Sequence, residues 1–177
     1  GRRLAVSSSV PVVVVPDSVL DEVGAADGSG VTPQTGPIVV GVDGSTNSVR
    51  ALKWACDHSR EGQEVHAVTS WTSNAAHLAG VVALDLDLME TSAYRQLEIT
   101  LEKAVVDGVD VSEVVRRVVY GDPRVVLRDL SANAEMLVVG ARGSSGLTSI
   151  LVGSVASSLV HRPACPLIVV PNVEPIE

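Results

Sequence analysis

"LVVGARGSSGLTSILVGSVASSLV" occupies residues 137–160. It opens on an apolar, strand-like run, passes through a loop of glycines and serines, and closes on small residues at helical spacing. Gly140 follows the apolar run, Gly143 comes three positions later, and after nine further residues Gly153 and Ser154 open the closing helix. Glycine admits positive φ and lets another group approach the main chain with no Cβ in the way. At a helix start, unpaired N–H groups meet the positive end of the macrodipole, which favours an anion by about 0.3–1 kcal/mol. A strand, a spaced glycine loop and a helix start are the parts that phosphate binding needs. The stretch lacks the Gly-Lys-Ser/Thr ending of a P-loop. Its spacing also differs from Gly-x-Gly-x-x-Gly, and it lies late in the chain rather than after the first strand.

Working outward from this stretch, apolar strand candidates at 38–42, 65–71, 114–120, 136–139 and 167–170 alternate with helix-length segments. That is βαβ rhythm. Residues 47–60 carry a stripe of Val49, Leu52, Ala55 and Cys56, and residues 87–106 carry Met89, Ala93, Leu97, Leu101, Ala104 and Val105. Asp122 and Pro123 form a cap and first-turn proline ahead of Val125, Val126, Leu127 and Leu130. Parallel strands need right-handed crossovers of this kind, so an open sheet with helices on both faces follows.

The chain of 177 residues is long enough for one core, and Val, Ala and Leu dominate it, with no Phe, two Trp and two Tyr. An interior of branched aliphatics suits a buried parallel sheet. Thirteen Lys and Arg against 21 Asp and Glu leave a net charge of −8, with no basic cluster interleaved with aromatics, which argues against nucleic acid as a partner. No apolar run approaches the roughly 18–20 residues of a membrane span, which argues against a membrane partner, and no signal-like segment opens the chain. Cys56 and Cys165 are too few for a disulfide framework or a zinc site, and a reducing cytoplasm is the expected location. His58, His66, His77 and His161 show no metal-ligand spacing.

The opening of the chain repeats its end. Residues 2–16, "RRLAVSSSVPVVVVP", align with residues 157–171, "SSLVHRPACPLIVVP", at a constant offset that superposes Leu4 on Leu159, Pro11 on Pro166, Val14 and Val15 on Val169 and Val170, and Pro16 on Pro171. A constant offset including both prolines points to an internal repeat. The competing reading is two unrelated Val-rich edge strands bounded by prolines. Residues 17–36 hold glycines and acids without periodicity and read as a linker.

The glycine spacing after the fourth strand, the opening "IVVGVDGS" at 38–45 and the ending "CPLIVVP" at 165–171 resemble the ATP-binding branch of the universal stress protein family. The likeness covers residues 37–171, and residues 1–16 resemble the tail of a preceding domain of that kind. The resemblance implies an α/β fold: an open five-stranded parallel sheet of order 3-2-1-4-5, counted from the strand at 38, with helices on both faces in a HUP-like three-layer sandwich. It implies three regions: a remnant strand at 1–16, a linker at 17–36 and a universal stress domain at 37–177, the last domain of a tandem protein. The cofactor it implies is ATP, with the question of an accompanying Mg left open. Gly41, Asp43 and Val68 would contact the adenosine end. Val139, Gly140, Gly143, Gly153, Ser154 and Val155 would hold ribose and phosphates. An Asp accepts hydrogen bonds from sugar hydroxyls but would repel phosphates, which assigns Asp43 to the nucleoside.

Plainer readings stand beside these. Asp43-Gly44-Ser45 also makes a turn and helix cap, Ser154 also makes an N-cap, and Arg142 is either a phosphate partner or a solvated charge. No catalytic constellation is evident, so binding and sensing is expected rather than turnover. A nucleotide-free interaction scaffold and a weak ATPase or nucleotidyl-transfer enzyme are the alternatives. The strand at Leu167–Val170 should be an open edge. The family likeness implies a homodimer or tandem pseudo-dimer across that edge, and Val12 to Val15 is the expected pairing strand.

Overall fold

The computed structural model describes residues 8–17, 35–72, 86–143 and 153–172. Most of the linker, the first seven residues and the middle of the glycine–serine loop lie outside them. In chain order the elements are β1 (Val12–Val14), β2 (Ile38–Gly41), α1 (Thr46–His58), β3 (Val65–Trp71), α2 (Leu86–Val106), β4 (Val115–Tyr120), α3 (Pro123–Ser131), β5 (Met136–Gly140), α4 (Ser154–His161) and β6 (Leu167–Val170). They form one sheet of order β1-β6-β5-β2-β3-β4. Strands β2 to β6 are mutually parallel and take the order 3-2-1-4-5 when counted from β2. The sheet has a sixth strand beyond the five of that pattern: β1 lies antiparallel on β6.

Alternation along the strands divides the core in two. Ile38, Val40, Ala67, Val138 and Ile168 face α1 and α2, where they meet Leu52, Leu97 and Leu101. Val39, Val68, Leu137, Val139, Leu167 and Val169 face α3 and α4, where they meet Leu127, Ala156 and Leu159. Continuous apolar runs such as Ile38-Val39-Val40 arise because both faces are covered, and each fully buried aliphatic contributes about 1.5–3 kcal/mol. Cys165 belongs to the second layer, and burial pushes its thiol up to about 11, so it behaves as a small apolar residue.

The two ends of the sheet differ. Leu167–Val170 would be a bare edge, but β1 pairs with Leu167, Ile168 and Val169, and all four residues are buried. At the other end β4 is exposed and carries Arg116 and Arg117, with Arg116 paired to Glu98 of α2 at 3.0 Å. Charge on an open edge discourages pairing with another chain. No helix among the described residues is long and apolar enough to cross a membrane.

Short polar side chains start the helices. Ser45 Oγ accepts from the Ser48 amide at 3.2 Å to cap α1. Asp122 caps α3 by accepting from the Arg124 amide at 2.8 Å, with Pro123 in the first turn as the sequence suggested. The Arg124 guanidinium hydrogen-bonds the same carboxylate and is the main reason its pKa falls from 3.8 to about 2. The folded value lies below the unfolded one, so this stabilisation is present above about pH 4 and is lost as pH falls toward 2. The pair is exposed, so solvent screening keeps its contribution small. Asp122→Asn keeps a capping oxygen and loses the charge. Its Tm should lie below wild type at pH 6 and converge with it below pH 4 in thermal circular dichroism. A gap that does not change with pH would contradict this assignment.

Candidate functional site

A cleft of about 530 Å³ opens at the carboxyl ends of the parallel strands. It lies where the chain order reverses, with β2 leading to β3 on one side and β5 on the other, the place where open α/β sheets bind ligands. Its volume falls in the usual range for small-molecule sites, about 300–1,000 Å³. All ten residues singled out in the sequence border it: Gly41, Asp43, Val68, Val139, Gly140, Arg142, Gly143, Gly153, Ser154 and Val155.

The glycines do different work from one another. Strands β2 and β5 both end on glycine, and a Cβ on either would collide with protein. At Gly41 it would lie 2.8 Å from Leu127 Cδ1 of α3, and at Gly140 it would lie 2.8 Å from Asn47 Cβ and 2.9 Å from the Asn47 backbone of α1. These two positions are glycine because helices close in on the strand tips from opposite faces. Gly143 is similar, since a Cβ there would sit 2.5 Å from Asp43 Oδ2. At Gly153 the nearest atoms would be 3.4 Å or more away, an ordinary contact distance.

The helix start also differs from the sequence expectation. Gly153 is the N-cap of α4, and its amide donates to the Ala141 carbonyl at 2.7 Å, so it is not available to a ligand. Ser154 is the first helical residue rather than the cap. Gly153 offers no capping side chain, and the next intrahelical bond runs from Ser157 N to Gly153 O at 2.9 Å. Gly153 therefore gives the amides of Ser154, Val155 and Ala156 no side-chain cap, and all three residues line the cleft among the described residues. In most helices such groups are satisfied by a cap, water or a ligand.

Asp43 is held from three sides. Its Oδ1 accepts from the Ser45 amide at 3.2 Å and from Ser45 Oγ at 2.6 Å, and its backbone carbonyl accepts from Gln96 of α2. The turn that follows needs Gly44, whose φ is +80°. So the turn-and-cap reading of Asp43-Gly44-Ser45 is correct as far as Oδ1 goes, while Oδ2 is directed toward Gly143. Lys103 adds a bond to the Gly44 carbonyl at 3.1 Å, tying α2 to this loop a second time. Arg142 is half-buried beside the cleft, with its carbonyl bonded by Asn47 Nδ2 at 3.3 Å.

Several lining residues had not been read from the sequence as part of a site: Thr69, Trp71, Met89, Gln96, Pro123 and Leu127. Trp71 was detectable in principle, as an aromatic at the end of a long apolar strand. Met89 and Gln96 depend on how α2 crosses the sheet, which no local pattern encodes.

A family model described as the universal stress protein family matches residues 35–171. The chain belongs to the universal stress protein family. It is 36% identical over 145 residues to universal stress protein Rv2005c of Mycobacterium tuberculosis, a match covering 77% of this chain and 46% of that protein. The chain thus spans about half the length of the curated relatives it matches. Among solved structures, its fold is similar to that of universal stress protein UspA from Lactobacillus plantarum, at TM-score 0.59 and 18% identity over 77% of this chain and 98% of that one. It is also similar to a universal stress protein in complex with cAMP, at TM-score 0.55 and 23% identity over 77% and 97% of the two chains. These likenesses agree with the α/β three-layer architecture of this universal stress domain.

The contact distances separate two glycines experimentally. Gly140→Ala should destabilise the domain by about 1–3 kcal/mol, the usual cost of forcing a methyl into a packed site. Gly153→Ala should cost less, about 0.5–1 kcal/mol, since φ there is −62° and a methyl would meet only ordinary contacts, leaving mainly the poorer N-cap. Urea unfolding of both variants checks this. Equal losses, or the opposite order, would show that the tip of β5 is not as tightly packed as described.

Proposed function

We propose that this domain binds an adenine nucleotide, ATP, in the cleft at the strand tips and acts as a nucleotide-dependent stress-response module. The observation that carries this reading is the start of α4. Ser154 and Val155, whose amides take no side-chain cap from Gly153, line a cleft large enough for a nucleotide, as does the cation Arg142. Phosphate oxygens suit those amides, and the macrodipole and Arg142 add to the attraction. In this reading Asp43, held by Ser45 and Gln96, accepts from ribose hydroxyls, and Gly41 and Val68 lie toward the base. The fold relative in complex with cAMP supports a nucleotide as the occupant class. Whether Mg accompanies the phosphates is a separate question for titration with and without the metal.

A second reading, a nucleotide-free scaffold, is favoured by one observation: packing against Asn47 and Asp43 accounts for Gly140 and Gly143 without any ligand. It does not account for the open helix start. Calorimetry with ATP decides between them. Wild type should bind ATP, and Arg142→Ala should weaken binding about tenfold, the worth of one charge-assisted hydrogen bond. Absence of binding at millimolar ATP, with no nucleotide released from the purified protein by denaturation, would favour the scaffold.

We further propose that residues 1–16 are the end of a preceding copy of the same fold, that 17–36 are a linker, and that 37–177 are the domain proper. The pairing register supports this. Val13 pairs with Ile168, its own counterpart in the repeat, while Val12 pairs with Val169 and Val14 with Leu167, so that equivalent positions exchange partners. That is the register of an isologous, pseudo-two-fold contact. Two unrelated edge strands would have no reason to meet symmetrically. Removing residues 1–16 should bare β6 and turn a monomer into a dimer in sedimentation analysis. A truncated chain that stays monomeric at tens of micromolar would argue against a self-complementary edge.

A further inference from the structure

Strands β2 and β3 do not end together. Their last pair is Gly41 with Val68, while β3 continues to Trp71 in pairing with β4, where Trp71 faces Tyr120. The β3–β4 ribbon therefore overhangs the tip of β2 by three residues, about 10 Å at the usual rise per residue. The overhang forms one wall of the cleft, and the backbone at its end is pinned by a bond from the Gly121 amide to the Trp71 carbonyl at 2.8 Å.

An aromatic pair finishes this wall. Trp71 lines the cleft half-buried, with the Tyr120 ring edge-on at a centroid distance of 4.9 Å and an interplanar angle of 71°. Such T-shaped pairs hold ring orientation as well as adding attraction. The chain has only two Trp, two Tyr and no Phe, so half of its aromatic residues are concentrated at this one corner. The other Trp, Trp54, stacks on His58 along α1 and does not line the cleft. Met89 of α2 lines the same cleft and adds a second apolar surface.

Strand order then sets the polarity of the cleft. The α4 start follows β5 on one side of β2, and Trp71 ends β3 on the other. A ligand with its phosphates on the Ser154 amides would reach across the β2 tip and bring its far end to the indole. We propose that Trp71 is the base platform of this site, a specificity-determining residue that stacks on the nucleobase and makes the cleft prefer purine over pyrimidine nucleotides. This rests on the nucleotide reading above and adds to it the residue that recognises the base. A flat aromatic surface recognises any base by its π-face, and purines offer the larger one.

The test uses the whole chain, with ATP, CTP and inorganic tripolyphosphate as probes in calorimetry. Wild type should bind ATP more tightly than CTP. Trp71→Leu should weaken ATP about tenfold, reduce the ATP-to-CTP ratio, and leave tripolyphosphate binding within twofold of wild type. Trp71→Phe should restore most of the ATP affinity. In a Trp54→Phe background, ATP should quench the remaining tryptophan fluorescence and tripolyphosphate should not, a readout available even if Trp71→Leu folds poorly. Undiminished ATP affinity in Trp71→Leu, or equal quenching by the two probes, would overturn the base platform while leaving the nucleotide reading intact. Failure of wild type to bind either ATP or tripolyphosphate would overturn both.

Discussion

Two central strands, β2 and β5, end on residues with no side chain, and a helix comes down on each from the opposite face. Helix α3 brings Leu127 to Gly41, and α1 brings Asn47 to Gly140. With Cβ atoms there, both helices would have to move outward and the floor of the cleft would rise. The cleft is therefore a consequence of tight helix–sheet packing at the switch point, where the neighbouring crossovers run to opposite sides. Close packing of this sort tolerates little added volume. The same constraint fixes where α1 starts, and there Ser45 holds the carboxylate of Asp43 while Gln96 holds its backbone carbonyl.

In a chain of net charge −8, the anion site proposed here would have to be made locally. The available means are backbone amides at the start of α4 and one guanidinium, Arg142. Backbone dipoles suit this purpose because they are already oriented and need no side-chain ordering on binding. Asp43 sits close enough to the glycine loop that a phosphate placed against it would be repelled, which favours a ligand lying across the cleft with its hydroxyls at Asp43 and its charge at α4. The bonds from Gln96 and Lys103 to the carbonyls of Asp43 and Gly44 connect α2 to this arrangement.

Much of this was legible from residue order. The alternation of apolar runs with amphipathic segments pointed to an open parallel sheet covered on both faces, the strand order came with the family resemblance, and the Asp122-Pro123 start of α3 formed as read. The glycine spacing located the cleft, because glycines at strand ends and helix starts gather at the same end of a parallel sheet. What the glycines do there was not legible: only spatial neighbours reveal that Gly140 makes room for Asn47 while a Cβ at Gly153 would meet only ordinary contacts. The occupied amide of Gly153 depends on Ala141, twelve residues earlier, and the contributions of Met89 and Gln96 depend on the crossing of α2. The repeat between the chain's start and its end suggested that β1 would find β6. The symmetric register of that pairing could come only from three-dimensional positions.

The start of α4 is the point on which the functional reading turns, and backbone amide chemical shifts report on it residue by residue. In two-dimensional nitrogen–proton NMR spectra of the labelled chain, ATP and inorganic tripolyphosphate should both displace the Ser154 and Val155 amide signals, whereas adenosine alone should leave those two in place and move signals near Val68. Ser154 and Val155 signals that stay unchanged at saturating ATP would mean that these amides hold no phosphate, and the proposed role of the cleft would be wrong.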